Sequence, residues 1–331
     1  MTIERVAIVG LGLIGGSVGL AVQEMLPGMA TTGWDADTDV RQRAAGRRLV
    51  GEVCDTVAEA VRGADLVILC VPVGAMGYAA EAIAPHLEPG TIVSDVGSSK
   101  RSVGDALAAA LPDAIVIPAH PVAGTENSGP DAGFPELFRH RWCIVTPGKD
   151  TPPDAVDALT RFWEGLGATV EIMDAEHHDL VLAVTSHIPH LIAYTIVGTA
   201  SDLEDVTRGE VIKYSAGGFR DFTRIAASNP TMWRDVFLSN RDAVLEVLGR
   251  FTEDLSRLQR AIRNGDGDTL FDLFDKTRTI RRSIIEEGQD DAKCDFGRGD
   301  HCGKLKILAE QYLLSGKSDV ALLDLLGLYL S

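Results

Sequence analysis

One stretch near the amino terminus, Arg5-Val6-Ala7-Ile8-Val9-Gly10-Leu11-Gly12-Leu13-Ile14-Gly15-Gly16, narrows the fold more than any other. Its apolar, β-branched run reads as a buried parallel strand, and Gly10, Gly12 and Gly15 follow at G-x-G-x-x-G spacing. In such a turn the first glycine permits a tight reversal, the second lets backbone approach a pyrophosphate, and the third lets the next helix pack close on the sheet. That helix, beginning near Leu13 and Ile14, would aim its free N–H groups at phosphates. Glycine-rich turns also serve plain packing, so the context decides. The next strand, Thr31-Thr32-Gly33-Trp34-Asp35, ends in an acid about twenty residues past the last glycine, where a ribose 2′-hydroxyl needs an acceptor. A carboxylate at Asp35 repels a 2′-phosphate, so NAD is expected rather than NADP.

Further strands are expected over residues 64–72, closing on Val71 and Pro72, over 90–95, and over 114–119, running into His120 and Pro121. Helices are expected between them, through about residue 26, over 40–48, over 74–86, and after Lys100. The 64–72 run is apolar at nearly every position, as in a parallel sheet covered on both faces. This alternation predicts an α/β, Rossmann-type doubly wound parallel sheet, with ligands at the carboxyl ends of the strands, where Ser98 and His120 would sit. Two more strands, 142–146 and 168–173, flank a helix whose Val156, Leu159, Phe162 and Leu166 recur at helical spacing. From Ala175 onward the pattern is helical, over 176–203, 232–262 and 269–287. The expected division is a dinucleotide-binding domain at 1–173, an all-α domain at 174–298, and a leucine-rich, helical tail of unknown role at 299–331. The first of these helices is apolar around most of its circumference; such a helix must be covered, and a second copy of the chain is an expected cover.

A formal charge of −17 argues against nucleic acid and anionic membrane as partners and requires a local cationic pocket for any anionic substrate. The five cysteines, Cys54, Cys70, Cys143, Cys294 and Cys302, include no C-x-x-C pair and read as free thiols of a reducing compartment. Cys294, His301 and Cys302 could supply three ligands, one short of a closed zinc site, so no metal is expected. Only Met1 to Glu4 precede the first strand, and no uncharged apolar run of spanning length stands out; a soluble cytoplasmic protein is expected.

Three sets of residues could carry chemistry. His120 beside a nicotinamide site has an imidazole suited to taking a hydroxyl proton, with Ser98 holding it or the substrate. Equally, His120 could bond a loop carbonyl and Ser98 cap the following helix. The second set is His178, Asp179, His187 and His190, where Asp179 and His187, eight apart, share a helix face. Such histidines are more often satisfied core residues than ligands, but a cleft facing the cofactor would use them. The third is Gly217-Gly218-Phe219-Arg220-Asp221-Phe222-Thr223-Arg224, a glycine-led turn with two arginines, followed by Trp233. An arginine fork binds carboxylate in bidentate fashion, the alternative being a surface pair of Arg224 with Asp221.

Over residues 4–298 the chain resembles the prephenate and arogenate (cyclohexadienyl) dehydrogenases of tyrosine biosynthesis. The resemblance rests on the glycine turn, Asp95-Val96-Gly97-Ser98-Ser99-Lys100, His120-Pro121-Val122-Ala123-Gly124-Thr125-Glu126, Ser186-His187-Ile188-Pro189-His190, and the run from Gly217 to Ala226. It implies a helical domain that forms a homodimer, and the oxidative decarboxylation of prephenate, arogenate or both with hydride transfer to NAD. His120 would be the base, Ser98 its orienter and Arg224 the carboxylate clamp. Thr125, Glu126, His190, Gly217 and Arg220 would border the substrate, Asp221 and Trp233 would support the arginine loop, and His187 with Asp179 would form a structural pair. Glu126 or His190 could decide between the two side chains, and tyrosine could occupy the same pocket as an inhibitor. Two other readings are a β-hydroxyacid or imine-type reductase, for which Lys213 is the nearest lysine, and a non-catalytic NAD-sensing regulator.

Overall fold

The computed structural model describes residues 1–125, 127–207 and 212–286; Glu126, Cys294, His301, Cys302 and the expected tail lie outside the described residues. The main sheet holds β1 (Arg5–Val9), β2 (Ala30–Trp34), β3 (Glu52–Val53), β4 (Leu66–Leu69), β5 (Ile92–Asp95) and β6 (Ile115–Val116). All are parallel, in the order β3-β2-β1-β4-β5-β6. The order reverses between β1 and β4, which opens the crevice where doubly wound sheets bind their ligands. Val6, Ile8, Leu66 and Ile68 pack into one core with Val18 and Phe162, while Ala7, Val9, Val67 and Leu69 pack on the other face with Met76 and Leu107. Successive strand residues face opposite ways and both faces are covered, which is why these strands are apolar throughout.

The connecting helices are α1 (Leu13–Met25), α2 (Thr38–Arg47), α3 (Val57–Val61), α4 (Met76–Ile83) and α5 (Arg101–Ala110). Periodicity does not anticipate β3 or α3, because two and five residues are too few to show a repeat. α3 is instead marked by a capping box between Thr56 and Glu59.

The strand expected over 114–119 and running into His120 is two strands. The Ile117 N–H still donates to the Val93 carbonyl at 2.9 Å, but Pro118 has no N–H and the ladder stops. The chain enters a second sheet, in which β7 (Ala119–Pro121) pairs antiparallel with β8 (Trp142–Val145), itself parallel to β9 (Thr169–Ile172). His120 therefore lies mid-strand in this smaller sheet, opposite Ile144, not at the carboxyl end of a main-sheet strand. Between β8 and β9, α6 (Pro153–Gly165) buries Leu159, Phe162 and Trp163 in the first core.

The chain then becomes helical: α7 (Ala175–Leu182), a π-helical turn Ala183–His187, α8 (Ile188–Thr207), α9 (Gly217–Thr223), α10 (Pro230–Ser239), α11 (Arg241–Asn264) and α12 (Gly267–Glu286). The helices expected over 176–203 and 232–262 are each interrupted, by the π turn and at Asn240. The run Ala175–Glu204 holds an 18-residue stretch of mean hydropathy 1.6 and by length and composition could cross a membrane, which corrects the expectation that no such run exists. It also carries His178, Asp179 and His187, all buried. By compactness the chain divides into residues 1–252 and residues 253 onward. The first unit spans the boundary expected at 173/174, because Asp179 in α7 and Ser239 in α10 bond to residues 99–102 at the start of α5. In the second, α12 exposes Phe271, Phe274 and Ile285.

Candidate active site

The glycine turn is shaped for a dinucleotide. Gly10 has φ +98°, and a Cβ there would stand 2.6 Å from the Cys70 carbonyl oxygen. A Cβ on Gly15 would run into the Gly10 carbonyl, so α1 can approach only without one. At Gly12, by contrast, a Cβ would meet nothing within 4 Å, leaving open space before α1. That helix has no side-chain cap and no acid in its first turn, so the N–H groups around Leu13 and Ile14 are available to an anion. Asp35 follows β2; one carboxylate oxygen accepts from the Leu11 N–H at 2.8 Å and the other from the Asp37 N–H at 3.0 Å. Each oxygen keeps a second lone pair for ribose hydroxyls. Val71, half-buried, and Pro72, exposed, follow β4 next to the turn. These residues fit NAD.

Beside this crevice, at the end of β5, a buried ion pair ties the two sheets together. Lys100 Nζ donates to Asp95 Oδ2 at 2.5 Å and to the Ala119 carbonyl at 2.7 Å; Asp95 also accepts from the Gly97 and Ala119 N–H groups at 2.7 and 3.3 Å. Both side chains are fully buried. Burial pushes the Asp95 carboxyl up and the Lys100 ammonium down, and their attraction opposes both shifts. The pair grips both ends of the Ala119 residue, and so fixes the backbone that carries His120.

His120 Nδ1 lies 2.9 Å from His178 Nε2, and His178 Nδ1 lies 2.8 Å from Asp179 Oδ1. Asp179 also accepts from the Lys100 and Arg101 N–H groups, at 2.7 and 3.0 Å. Asp179 thereby caps α5, the task that one sequence reading gave to Ser98, while the Ser98 hydroxyl makes no hydrogen bond among the described residues. Burial, then the His178, Lys100 and His187 charges, push the His120 imidazole well below its usual range. His120 is therefore neutral at neutral pH and able to accept a proton.

Asp179 and His187 do not pair through their side chains. Asn240, where α10 ends, donates to the Asp179 carbonyl at 2.7 Å and lies 3.1 Å from His187 Nδ1. The π turn between the two residues departs from the helical repeat that placed them on one face, and π turns recur at functional sites. Burial pushes the His187 imidazole down to about 4, against a raising influence of the Ser98 backbone. His190, half-buried, lies 2.9 Å from the Ser186 carbonyl through Nδ1 and stacks on Trp233 with ring centroids 3.6 Å apart. Burial lowers its pKa, and the Arg224 charge lowers it further.

The structure thus brings Ser98, His120, His178 and His187 together, and links Arg224, His190 and Trp233. Arg224, Arg220 and Asp221 are exposed and Gly217 is half-buried, around the short helix α9. Thr125 is exposed, its hydroxyl accepting from the Asn127 N–H at 3.2 Å, and nothing described joins it to the set. Lys213 is also exposed. Sequence reasoning left Asp95 and Lys100 without a role and missed Asn240. The spacing of Asp95 and Lys100 around a strand end was the available signal for the pair; Asn240 carries none. Cys54, Cys70 and Cys143 are free thiols, and no cluster of three or more metal-ligating side chains occurs among the described residues.

Two family models match, one described as the nucleotide-binding domain of prephenate dehydrogenase over residues 18–172, the other as its dimerization domain over 174–276. The chain belongs to the prephenate dehydrogenase family. Among its relatives, the cyclohexadienyl dehydrogenase of Zymomonas mobilis is 46% identical over 281 residues, covering 85% of this chain and 96% of the relative. The prephenate dehydrogenase of Bacillus subtilis is 33% identical, covering 85% and 76%. Prephenate dehydrogenase from Aquifex aeolicus, solved with hydroxyphenyl propionate and NAD+, superposes with TM-score 0.80 at 30% identity over 86% of this chain and 99% of that one. Synechocystis arogenate dehydrogenase superposes with TM-score 0.72 at 26% identity, covering 85% and 99%. This membership supports the dehydrogenase reading over the β-hydroxyacid reductase and the non-catalytic sensor.

Proposed function

We propose that the pocket beside His120 oxidatively decarboxylates a cyclohexadienyl acid, prephenate, arogenate or both, with His120 as the base. The observation that carries the residue assignment is the His120 imidazole, buried in β7 and anchored through Nδ1, on a backbone held by the Asp95–Lys100 pair at the end of β5. Bound NAD supplies the hydride acceptor. Gly10, Gly12, Leu13, Ile14 and Gly15 hold its pyrophosphate, Asp35 a ribose, and Val71 and Pro72 border it. His120 Nε2 takes the proton of the ring hydroxyl as hydride leaves the same carbon. Ser98, with its hydroxyl uncommitted, bonds both the substrate and the base. Arg224 pairs with the ring carboxylate, whose carbon–carbon electrons enter the ring as carbon dioxide departs and a phenol forms. Aromatisation makes the step effectively irreversible, so the protein has only to supply geometry, a base and an anion clamp.

His190 and Trp233 flank the substrate side chain, with Arg220, Asp221, Gly217, Thr125 and Glu126 around the mouth. Tyrosine, a phenol with one of the two side chains, competes for the same space. Residues 1–173 serve as the dinucleotide domain and 174–298 as the substrate domain, which pairs with a second copy through its exposed apolar helix faces, in a cytoplasmic enzyme. Initial rates of NADH formation with prephenate and with arogenate, each with NAD+ and NADP+, test this reading. Turnover with NAD+ on at least one ring is expected. No turnover on either, with NAD binding intact, would overturn it.

A further inference from the structure

While His178 is neutral, each hydrogen bond beneath His120 has one direction. Asp179 is an acceptor, and it already takes N–H donors from Lys100 and Arg101 at the first turn of α5. The 2.8 Å contact to His178 Nδ1 therefore places a proton on that nitrogen. A neutral His178 then has a lone pair on Nε2, and the 2.9 Å contact is a donation from His120 Nδ1–H. A neutral imidazole carries one proton, so His120 Nε2 is left with a lone pair. That is the form in which it can accept from a substrate hydroxyl.

We propose that His178 is a positioning residue for hydride transfer: held by Asp179, it selects the tautomer of His120 whose Nε2 is free to take the substrate proton. The inference rests on His120 being the base. It adds that the base is competent only while His178 is neutral with its proton on Nδ1. If His178 gained a second proton, both of its nitrogens would donate, His120 Nδ1 would have to accept, and Nε2 would carry the hydrogen. When His120 does take the substrate proton, the same contact stabilises the imidazolium, because His178 Nε2 is an acceptor polarised by Asp179.

The groups around the two rings favour the competent state. Asp95 and Lys100 face them from β5 and the start of α5, His187 from the π turn, and Asp179 from His178's own helix. Burial and the Lys100 charge both push the His178 imidazole down, against the pull of Asp179.

Three variants and one spectrum test the proposal. Asp179→Asn keeps the side chain's size but offers an N–H to His178 Nδ1, which reverses both tautomers. The same exchange beneath a catalytic histidine in a serine protease lowers turnover by about 10⁴, and a fall in kcat of at least about 10² is expected here. His178→Phe removes the acceptor, and the same fall in kcat is expected with KM for the ring substrate and NAD affinity within about threefold. His178→Gln puts an amide oxygen in place of Nε2 and should recover about tenfold of that loss, which a purely space-filling role would not give. The acid limb of the kcat profile should move in His178→Gln. Nitrogen-15 spectra of the unaltered protein, which need no variant to fold, should show His120 protonated on Nδ1 at pH 7 to 8. Protonation on Nε2 instead, or His178→Phe and His178→Gln of equal kcat and unmoved pH profile, would overturn the proposal. His120→Asn in parallel separates the two ideas: if it keeps full turnover, the base assignment fails; if it is inactive while both His178 variants work, only this inference fails.

Discussion

On one side of the site His120, His178, Asp179, Asp95 and Lys100 are buried and bonded to one another or to backbone. On the other, Arg220, Asp221 and Arg224 are exposed around a seven-residue helix, and His190 is half-buried. The contrast follows from the two tasks. The base proposed for this site must be neutral and aimed before the substrate arrives, and a buried ring anchored through Nδ1 alone meets both conditions without reorganisation. A guanidinium that is to meet an arriving carboxylate costs less at the surface, where water solvates it, than in the interior. On the proposed reading, chemistry is built into the fold and recognition is finished by the ligand.

The largest expected effect tests the built-in side. His120→Asn should lower kcat by about 10²–10⁴, the worth of a general base, with NAD affinity unchanged by fluorescence titration. Full turnover would remove the distinction between the two sides. Nearly as large is the effect of Lys100→Met, which leaves Asp95 buried without its cation. Breaking a buried pair in this way costs about 3–5 kcal/mol, measurable by urea unfolding; a loss below about 1 kcal/mol would mean that Asp95 is held by its N–H donors alone.

Acid should undo the same side. The His187 imidazole is pushed from 6.5 down to about 4 by burial, and His120 and His178 are shifted the same way. Below pH 6.5 the unfolded chain binds protons that the folded one refuses, so stability is full above that value and falls as pH drops toward the folded pKa. For His187 alone the loss is about 3 kcal/mol by pH 4. Denaturant midpoints across that range should show it, and His187→Gln should flatten the slope.

The two sides were also unequally legible in the sequence. The glycine turn, Asp35 and the parallel strands are set by local spacing, and β1, β2, β4 and β5 lie where the pattern places them. His120 and Arg224 could be named as candidates from the residues and the family motifs. What supports His120 could not, because it is made across long separations: Asp179 to Lys100 spans 79 residues and Asn240 to His187 spans 53. Spacing on an ideal helix joined Asp179 to His187, whereas a π turn and a helix break at Asn240 put an amide between them. Pro118 is a local signal that ends the β6 ladder, and it puts His120 inside a second sheet and not at the end of a main-sheet strand.

The smallest effect belongs to the exposed side, and its kind matters more than its size. Arg224→Ala should raise KM for the ring substrate by roughly 10- to 150-fold, equivalent to about 1.5–3 kcal/mol for a lost charged hydrogen bond. It should change the unfolding free energy by less than about 1 kcal/mol, since the side chain is exposed. Because an exposed charge is screened within about 8–10 Å at ordinary salt, KM of the unaltered enzyme should rise with ionic strength while kcat stays level. Arg224→Lys should recover only part of the loss, because an ammonium cannot reproduce the two-pronged grip on a carboxylate. If Arg224→Ala lowered kcat as strongly as His120→Asn with KM unchanged, the arginine would act only in the transition state. The anion side would then belong to the chemistry and not to recognition.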